Sequence, residues 1–377
     1  MEKIGALEAL KEYAADPSAY LKKRKTKSGK KILGYFCTNT PEEMIHAAGF
    51  LPVRILSSRD TISLASRHLQ SYSCSLVQSS LESGLRGELA YLDGTVFPHT
   101  CDSIQRLSDI WAENLRFPFH WDLVLPVKLH TESARAYLIH ELRRFRKGLE
   151  EFAGRPVSDG DLRKAISLFN ENRSWLKEIS RYQAQYPGRI LPSGLYALIK
   201  TANFMAKEEH NPLLKELAAQ LQDGGRPSRS AGPRLFLAGS VCDQPKMYDL
   251  VESCGASLVG DDLCTGWRYF AEDVSLEGDP IVALADRLIR KVPCPCKFNP
   301  DIDPADRFLQ RVKASGTQGV VFLLLKFCDP HAFDYPHLKE KLDQERIPSL
   351  LLEIESGGLP LGGMETRLRA FVETLSL

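Results

Sequence analysis

Two separate stretches of this 377-residue sequence alternate short apolar segments with helix-like ones, and this alternation constrains the fold more than any other feature. In the first stretch we predict strands at 31–36, 51–56, 94–98 and 122–127. In the second we predict strands at 234–238, 256–261, 319–325 and 349–354. Strands that alternate with helices of this length are typical of parallel sheets. The sequence therefore predicts two α/β domains, each built on a mostly parallel sheet.

The rest of the chain precedes and separates these two domains. Residues 155–222 show helical periodicity, clearest at 161–181 and 193–207, and the Gly-, Pro-, Ser- and Arg-rich run at 224–233 is typical of a linker. Residues 1–29 predict a helix followed by a basic linker. We therefore expect four parts: an N-terminal helix and linker (1–30), a first α/β domain (31–152), a helical segment and linker (153–232) and a second α/β domain (233–377).

Charge and hydropathy exclude several classes of partner. The formal net charge is +1, so we expect no overall electrostatic attraction to nucleic acid or to an anionic membrane. The longest uninterrupted apolar run, Val320–Leu325, is far shorter than the roughly 20 residues of a membrane-spanning helix. The N-terminal residues lack the apolar core of a signal peptide. These features predict a cytoplasmic protein without a membrane or nucleic-acid partner.

The nine cysteines have a distribution that points to a binding site. Their odd number, without signs of secretion, argues against a disulfide framework. Five lie at or just past the end of a predicted strand: Cys37, Cys101, Cys242, Cys264 and Cys328. Ligands of parallel sheets bind at the carboxyl ends of the strands, whereas buried core thiols would more often lie within strands or on helix faces. The pattern therefore favours a thiolate site over scattered core cysteines.

The spacing of the cysteines limits the kind of cofactor. The only close pair is Cys294-Pro-Cys296, and neither the paired spacing of zinc sites nor the ferredoxin spacing is present. Thiolates spread over two domains suit an iron–sulfur cluster at the domain interface. Several of these cysteines precede predicted helices, whose N-termini favour anions and lower thiol pKa values. Neither a P-loop nor a G-x-G-x-x-G fingerprint is present, so no nucleotide site is predicted.

Three blocks of the sequence resemble the 2-hydroxyacyl-CoA dehydratase D-component and benzoyl-CoA reductase subunit family. They are GYFCTNTPEEMIHAAGFLPVRI (34–55), LDGTVFPHTCDSIQRLSDIW (92–111) and LLKFCDPHAFDYPHLKEKL (324–342), and the segment 352–373 is similar to the family's C-terminus. The resemblance implies two Rossmann-like domains with an iron–sulfur cluster between them, a dimer, and a separate ATP-hydrolysing iron–sulfur protein that supplies electrons. It also implies that Cys74, Cys101 and Cys328 bind the cluster.

Two further blocks resemble one subgroup of that family, the double-cubane cluster proteins. These blocks are GDDLCTGWRYF (260–270) and RKVPCPCKF (290–298). Members of the subgroup are homodimeric reductases in which two four-iron cubanes share a bridging sulfide, so the resemblance implies six thiolate ligands. They would be Cys37, Cys74, Cys101, Cys264, Cys328 and Cys294, with Cys296 possible in place of Cys294. Cys242 and Cys254 lie outside these blocks and are expected to be core residues or neighbours of ligands.

The resemblance leads to three functional expectations. The first is an oxygen-sensitive, low-potential reductase of small molecules at an [8Fe-9S] double-cubane cluster, driven by a partner ATPase. The second is a [4Fe-4S] catalytic subunit of a 2-hydroxyacyl-CoA dehydratase or benzoyl-CoA reductase. The third is an electron relay without enzymatic activity. The sequence assigns neither the substrate nor the catalytic residues, although Arg268, His331 and Glu355 are candidates for lining a pocket.

Overall fold

Two four-stranded parallel sheets organise the part of the chain that the computed structural model describes, which is residues 4–56, 61–223, 232–291, 293–355 and 361–376. The first sheet contains β1 (Ile32–Tyr35), β2 (Leu51–Arg54), β3 (Gly94–Pro98) and β4 (Phe119–Leu123). The second contains β5 (Arg234–Gly239), β6 (Ser257–Asp262), β7 (Gly319–Leu325) and β8 (Ser349–Ile354). The prediction of an α/β fold with two Rossmann-like parallel-sheet domains is confirmed.

Helices cover the sheets and join the two domains. The first part of the chain contains α1 (Gly5–Ala15), α2 (Pro17–Ser28), α3 (Glu42–Ala47), α4 (Ser75–Leu85), α5 (Asp102–Asn114), α6 (Glu132–Ala153) and a 3-10 turn (Ala65–Arg67). The joining segment contains α7 (Asp159–Gln185), α8 (Pro192–Ala202) and α9 (Lys207–Asp223). The second domain adds α10 (Pro245–Ser253), α11 (Trp267–Phe270), α12 (Pro280–Arg290), α13 (Pro304–Ala314), α14 (Asp329–Gln344) and α15 (Leu361–Thr374). None of the described helices is both long and apolar enough to cross a membrane.

Strand β7 illustrates why these segments form strands that are covered on both faces. All seven residues of its sequence GVVFLLL are buried. Val320 and Phe322 pack in the apolar cluster beneath α13 and α14, whereas Val321 and Leu323 pack in the cluster on the opposite face. Successive side chains of a strand point to opposite faces, so a parallel strand that is buried on both sides needs a continuous apolar run.

Both sheets have the same strand order, β2-β1-β3-β4 in the first and β6-β5-β7-β8 in the second. In each sheet the chain moves to one side of the first strand and then crosses to the other side. This arrangement creates a topological switch point between β1 and β3, and another between β5 and β7. Ligands of open α/β sheets bind outside the carboxyl ends of the strands at such points. The loops that follow these four strands are therefore the first place to look for a site.

Helix α12 packs on the first domain, although it follows the first two strands of the second domain in the chain. Its residues Ile281 and Leu284 belong to the same apolar cluster as Leu142 and Phe145 of α6. This packing places the start of the Cys-Pro-Cys segment, which follows α12, against the first domain.

The basic stretch near the N-terminus is helical, so the prediction of a basic linker there is wrong. Helix α2 begins after Asp16, whose side chain accepts a hydrogen bond from the backbone N–H of Ala19 at 2.9 Å, and Pro17 occupies its first turn. It ends at Gly29, which has a left-handed φ of 64°. Lysine and arginine are good helix formers, so a charged run between two such caps continues the helix.

Two other elements differ from the sequence prediction. Strand β4 lies earlier than the predicted 122–127, because Phe119 and Trp121 suit a strand whereas Pro126 cannot donate a ladder hydrogen bond. Helix α9 lies in the segment with helical periodicity but was not among its clearest helices, since Pro212 lies inside it and a proline there removes a helical hydrogen bond. The predicted linker at 224–233 falls mainly on 224–231, which lie outside the described residues.

A buried ion pair fastens the first domain to the joining helices. Glu43 of α3 and Arg173 of α7 form a salt bridge, and both side chains are almost fully buried. Arg173 Nη1 also donates to the side-chain oxygen of Asn170 at 2.7 Å. Removing one partner of a buried pair leaves an uncompensated charge in a medium of low dielectric constant, which is strongly destabilising.

We predict that Arg173→Ala lowers the free energy of unfolding by about 3–5 kcal/mol, because it leaves the Glu43 carboxylate buried and unpaired. The matched control is Arg369→Ala, which breaks an exposed pair with Glu365 four residues earlier and should cost no more than about 0.5 kcal/mol. Urea denaturation followed by circular dichroism measures both. Equal denaturation midpoints for the two variants would contradict this role of the buried pair.

Candidate metal centre

The carboxyl ends of the two sheets meet at one group of cysteines. Cys37 follows β1 and Cys101 follows β3, on the two sides of the first switch point. Cys264 follows β6 and Cys328 follows β7 in the second sheet. The thiols from both sheets lie close enough to influence one another's protonation, as the following paragraphs describe, so the site draws on both domains.

Three of the cysteines occupy the same position relative to a helix. Cys74, Cys101 and Cys328 are the N-cap residues of α4, α5 and α14. The N-terminus of a helix carries a partial positive charge and unpaired backbone N–H groups, which stabilise an anion. Each of these sulfurs is therefore placed where a thiolate is favoured.

The same three cysteines, which we call the first thiol set, are mutual neighbours. Burial raises the pKa of Cys328, and the thiols of Cys74 and Cys101 raise that pKa further. Burial raises the pKa of Cys74 to about 11, and Cys101 adds to the rise. Two of the three come from the first domain and one from the second, so the set spans the interface.

A second thiol set consists of Cys37, Cys264 and Cys294. Burial raises the pKa of Cys264 to about 11, and the thiols of Cys294 and Cys37 contribute to that rise. Cys264 in turn is one of the thiols that raise the pKa of Cys328. The second set also combines both domains, and it adjoins the first.

Cys296 lies between the two sets. A hydrogen bond with the Cys296 thiol is the main cause that lowers the pKa of Cys294 to about 5, and a similar bond lowers the pKa of Cys101. The same contacts raise the pKa of Cys296 itself. Seven thiols thus form one connected group, whose members are Cys37, Cys74, Cys101, Cys264, Cys294, Cys296 and Cys328.

The Cys-Pro-Cys segment is fastened to the first domain by backbone hydrogen bonds. The Phe298 N–H donates to the Val127 carbonyl at 2.9 Å, and the Leu129 N–H donates to the Phe298 carbonyl at 3.0 Å. Lys297 Nζ donates to the carbonyl of Pro126 at 2.8 Å. These bonds hold the segment beside the loop that follows β4, even though it belongs to the second half of the chain.

Loops of the first domain reach across to the second domain in the same region. Thr38 Oγ1 donates to the Arg268 carbonyl at 3.3 Å and also binds the ammonium group of Lys291. Arg54 Nη1 donates to the carbonyl of Cys264 at 2.7 Å. The backbone of Cys37 has a φ of 53°, a left-handed conformation that is uncommon outside glycine. Such strain clusters at functional sites, where the surrounding structure enforces it.

Cationic side chains surround the thiols. Burial dominates the pKa of Cys264, but Arg268 and Arg54 act to lower it. After the Cys296 hydrogen bond, Arg268 and Lys297 lower the pKa of Cys294. Lys291 is buried near Cys37 and Cys294. A group held by several thiolates carries negative charge, so sulfur donors among fixed cations fit an iron–sulfur cluster.

The sequence argument that helix N-termini lower the thiol pKa values is only partly correct. The pKa values of Cys101 and Cys294 are lowered, and the largest cause in both is the hydrogen bond with Cys296. At Cys101 the backbone N–H groups of Ser103 and Ile104, in the first turn of α5, lower the pKa as well. Burial outweighs the backbone N–H groups at Cys74 and Cys328, whose pKa values rise. Thiols must lose their protons to bind a metal, so a bound cation would have to overcome that effect of burial.

As the side chains stand, no three histidine, cysteine, aspartate or glutamate residues in the described part of the chain form a site for a single metal ion. Thiolates on one tetrahedral zinc ion lie about 3.8 Å apart, because the Zn–S bond is about 2.3 Å long. The thiolates of a four-iron cubane each bind a different iron. The two kinds of centre therefore differ in the spacing that they require.

Arg268 and His331, two of the three candidate pocket residues, lie beside the thiols. Asp262 pairs with the Arg268 guanidinium through two hydrogen bonds of 3.1 and 2.7 Å. Arg268 Nη1 lies 2.8 Å from His331 Nε2, and His331 Nδ1 lies 3.4 Å from Cys328 Sγ. Burial and the Arg268 charge lower the pKa of His331 to about 3, so its ring is neutral.

The third candidate, Glu355, differs from these two in its surroundings. Its side chain is exposed and pairs with Lys326 at 2.5 Å. An exposed pair of this kind is ordinary surface chemistry, so the geometry gives Glu355 no place at the thiols.

The remaining two cysteines lie apart from the group. Burial raises the pKa of Cys242 to about 12, and the neighbouring charges are those of Asp243 and Asp261. Cys254 is the C-cap of α10, and the charged groups near it include Arg369. Neither interacts with the seven thiols in the described contacts.

Sequence reasoning missed several residues that shape the site, among them Asp262, Lys291, Arg54 and Asn39. Asp262 lies two residues before Cys264 in the GDDLC block, so its position was a usable signal. Asn39 Nδ2 donates to Cys294 Sγ at 3.8 Å across the interface. That contact had no local signal, because its partners lie 255 residues apart.

A cavity of about 380 Å³ lies beside α11 and α13, and although none of the described cysteines lines it, two residues that contact or neighbour the thiols do. Its lining includes Arg268 and Lys291, both close to the cysteines, together with Trp267, Phe308 and Arg311. The volume is within the range of small-molecule sites, which combine apolar walls with a few polar groups.

The fold and the thiol arrangement define an α/β protein with a sulfur-rich centre at the junction of two parallel-sheet domains. The chain belongs to the 2-hydroxyglutaryl-CoA dehydratase D-component family, whose model matches residues 37–375. The family predicted from the sequence is thereby confirmed.

Three similar proteins show how members of this family are named. The chain is 27% identical to the (R)-phenyllactyl-CoA dehydratase beta subunit of Clostridium sporogenes, over 97% of each chain. It is 28% identical to the beta subunit of lactoyl-CoA dehydratase from Anaerotignum propionicum, over 98% of each. It is also 28% identical to a benzoyl-CoA reductase subunit of Thauera aromatica, over 92% of each. The protein is accordingly an enzyme component.

Proposed function

We propose that this chain is a low-potential iron–sulfur reductase of small molecules that holds an [8Fe-9S] double-cubane cluster and receives electrons from a separate ATP-hydrolysing iron–sulfur protein. The observation that carries the proposal is the grouping of six thiols into two adjoining sets of three, each drawn from both domains. Two cubanes that share a sulfide and take three thiolates each need six ligands. A single cubane would use only the first thiol set.

The proposed ligands are Cys37, Cys74, Cys101, Cys264, Cys294 and Cys328. Cys294 is preferred to Cys296 because it is the neighbour of Cys264 and lies near the cations of Arg268 and Lys297. When bound, the cluster would supply one-electron transfer at low potential. The chain's own contribution is to limit the access of water to the thiols, most of which are partly buried, to balance their charge with the surrounding cations and to admit a small molecule at the cavity beside α11 and α13.

Two features support a separate ATPase and a homodimer. The sequence has no phosphate-binding fingerprint, so the nucleotide would be bound by another protein. The blocks at 260–270 and 290–298 resemble homodimeric double-cubane proteins, and both supply members of the second thiol set.

The second candidate function is a [4Fe-4S] subunit of a 2-hydroxyacyl-CoA dehydratase, and the names of the relatives favour it. Two of those relatives are called beta subunits of dehydratases, which points to an unlike partner subunit. The mass of the native protein expressed alone separates the candidates. A stable, iron-loaded homodimer supports the double-cubane reductase, whereas iron loading that requires a second, unlike subunit supports the dehydratase.

We predict that the anaerobically purified protein is brown, loses its colour in air, and contains about eight irons per chain, since six thiolates suffice for two cubanes. Iron and acid-labile sulfide assays give the count. A value near four in fully loaded protein would contradict the double cluster, and a colourless protein with one zinc would contradict both candidates.

We predict that Cys101→Ala or Cys328→Ala removes most of the bound iron, because the two residues close strands in opposite domains and belong to the same thiol set. Cys254→Ala is the matched control, since that thiol caps α10 away from the group and should leave the iron unchanged. Iron per folded chain is the measurement. Equal iron content in all three variants would show that the ligands were misassigned.

We predict that the isolated chain, supplied with reduced ferredoxin, does not turn over a small-molecule acceptor, since nothing in the sequence couples ATP hydrolysis to electron transfer. Turnover appears when an ATP-hydrolysing iron–sulfur protein and MgATP are added, and MgADP is the control. Full activity of the isolated chain with ferredoxin alone would contradict the proposed partner.

A further inference from the structure

We propose that Asp262, Arg268 and His331 are positioning residues, which hold N–H donors on one sulfur of each thiol set and thereby raise the reduction potential of the cluster. This inference rests on the proposed function, because it concerns the group that the thiols would hold. Its basis is a chain of hydrogen bonds that begins at a buried carboxylate and ends at two sulfurs.

The first link is the pair of Asp262 and Arg268. Both side chains are about nine-tenths buried, and the carboxylate accepts from Arg268 Nε at 3.1 Å and from Nη2 at 2.7 Å. A bidentate pair of this kind fixes the plane of the guanidinium. The carboxylate also compensates the charge of the arginine. The third nitrogen of the guanidinium, Nη1, is not bound to Asp262 and is held in a fixed direction as a donor.

The second link determines which nitrogen of His331 carries the proton. Arg268 Nη1 lies 2.8 Å from His331 Nε2. An arginine can only donate, so Nε2 must be the acceptor, and in a neutral imidazole the proton is then on Nδ1. The buried carboxylate therefore selects the tautomer of the histidine through the arginine between them.

The third link joins this chain to the thiols. His331 Nδ1 lies 3.4 Å from Cys328 Sγ, a sulfur of the first set. Arg268 Nη1 lies 3.8 Å from Cys264 Sγ, a sulfur of the second set, and 3.5 Å from the carbonyl of Gly239. Because His331 is in the first turn of α14, three residues after the N-cap Cys328, the donor and its sulfur are held by the same short segment.

The effect of these donors on the reduction potential follows from the charge of the cluster. Reduction adds negative charge to a cluster and its thiolates, and N–H donors directed at the sulfurs stabilise that charge. The donor on Cys328 therefore favours the reduced state, and its loss makes the potential more negative. A purely structural histidine would affect stability or iron content but would leave the potential of loaded protein unchanged.

Two amide substitutions separate the nitrogens of His331. In His331→Asn the amide N–H₂ reaches the place of Nδ1 and can still donate to Cys328. In His331→Gln the amide group reaches the place of Nε2, where its oxygen can accept from Arg268, and Cys328 loses its side-chain donor. The backbone N–H of residue 331, which also bonds to Cys328, is the same in both variants. His337→Gln is the control, since His337 lies on the same helix but pairs with Asp303. Anaerobic redox titrations of iron-loaded protein, followed by electron paramagnetic resonance, give the midpoint potentials.

We expect His331→Asn and His337→Gln to keep the wild-type potential and His331→Gln to have a more negative one. Equal potentials for His331→Asn and His331→Gln, or a more negative potential for His331→Asn, would overturn the inference while leaving the proposed function intact. A wild-type protein without iron would contradict the proposed function, and this inference with it.

Discussion

The site depends on the way in which the two domains dock, because neither domain alone contains a complete thiol set. The carboxyl ends of the two sheets meet, and the loops there are fastened to each other by backbone and side-chain bonds. Arg54 of the first domain holds the carbonyl of Cys264 in the second, and the Phe298 and Val127 backbones pair across the same boundary. The distances between the thiols are therefore properties of the interface, and changes there would disperse them.

Burial and charge act in opposite directions on the thiols. Burial raises the pKa values of Cys74, Cys264 and Cys328, which disfavours the thiolates that a metal requires. The charge of Arg268 lowers the pKa of Cys264, and backbone N–H groups at the helix N-termini lower the pKa values of Cys74 and Cys328. These effects are smaller than the rise that burial causes. In the absence of metal these three thiols keep their protons, whereas Cys294, whose pKa is about 5, favours the thiolate. The nearby cations would stabilise an anionic group once the remaining protons had left. This balance explains why cations stand so close to the cysteines.

The sequence predicted much of this fold because its strands carry strong local signals. Strands β3, β7 and β8 lie where the apolar runs placed them, and the thiols of Cys37, Cys101, Cys264 and Cys328 follow strand ends as expected. Helix α9 was not resolved as a separate helix within the predicted helical segment, because Pro212 masks its periodicity, and α2 was missed because a lysine-rich run resembles a linker. The grouping of the cysteines into two sets depends on contacts between residues far apart in sequence, such as Asn39 and Cys294. Local patterns carry no information on such pairs.

The central claim is that six thiols in two adjoining sets hold one eight-iron group. Anomalous diffraction at the iron edge, from anaerobically grown crystals, tests it most directly because it locates iron without any assumption about the ligands. We expect iron positions beside both sets, with Cys37, Cys264 and Cys294 around one half and Cys74, Cys101 and Cys328 around the other. Iron beside the first set alone, with the second set bare in fully loaded protein, would contradict the account.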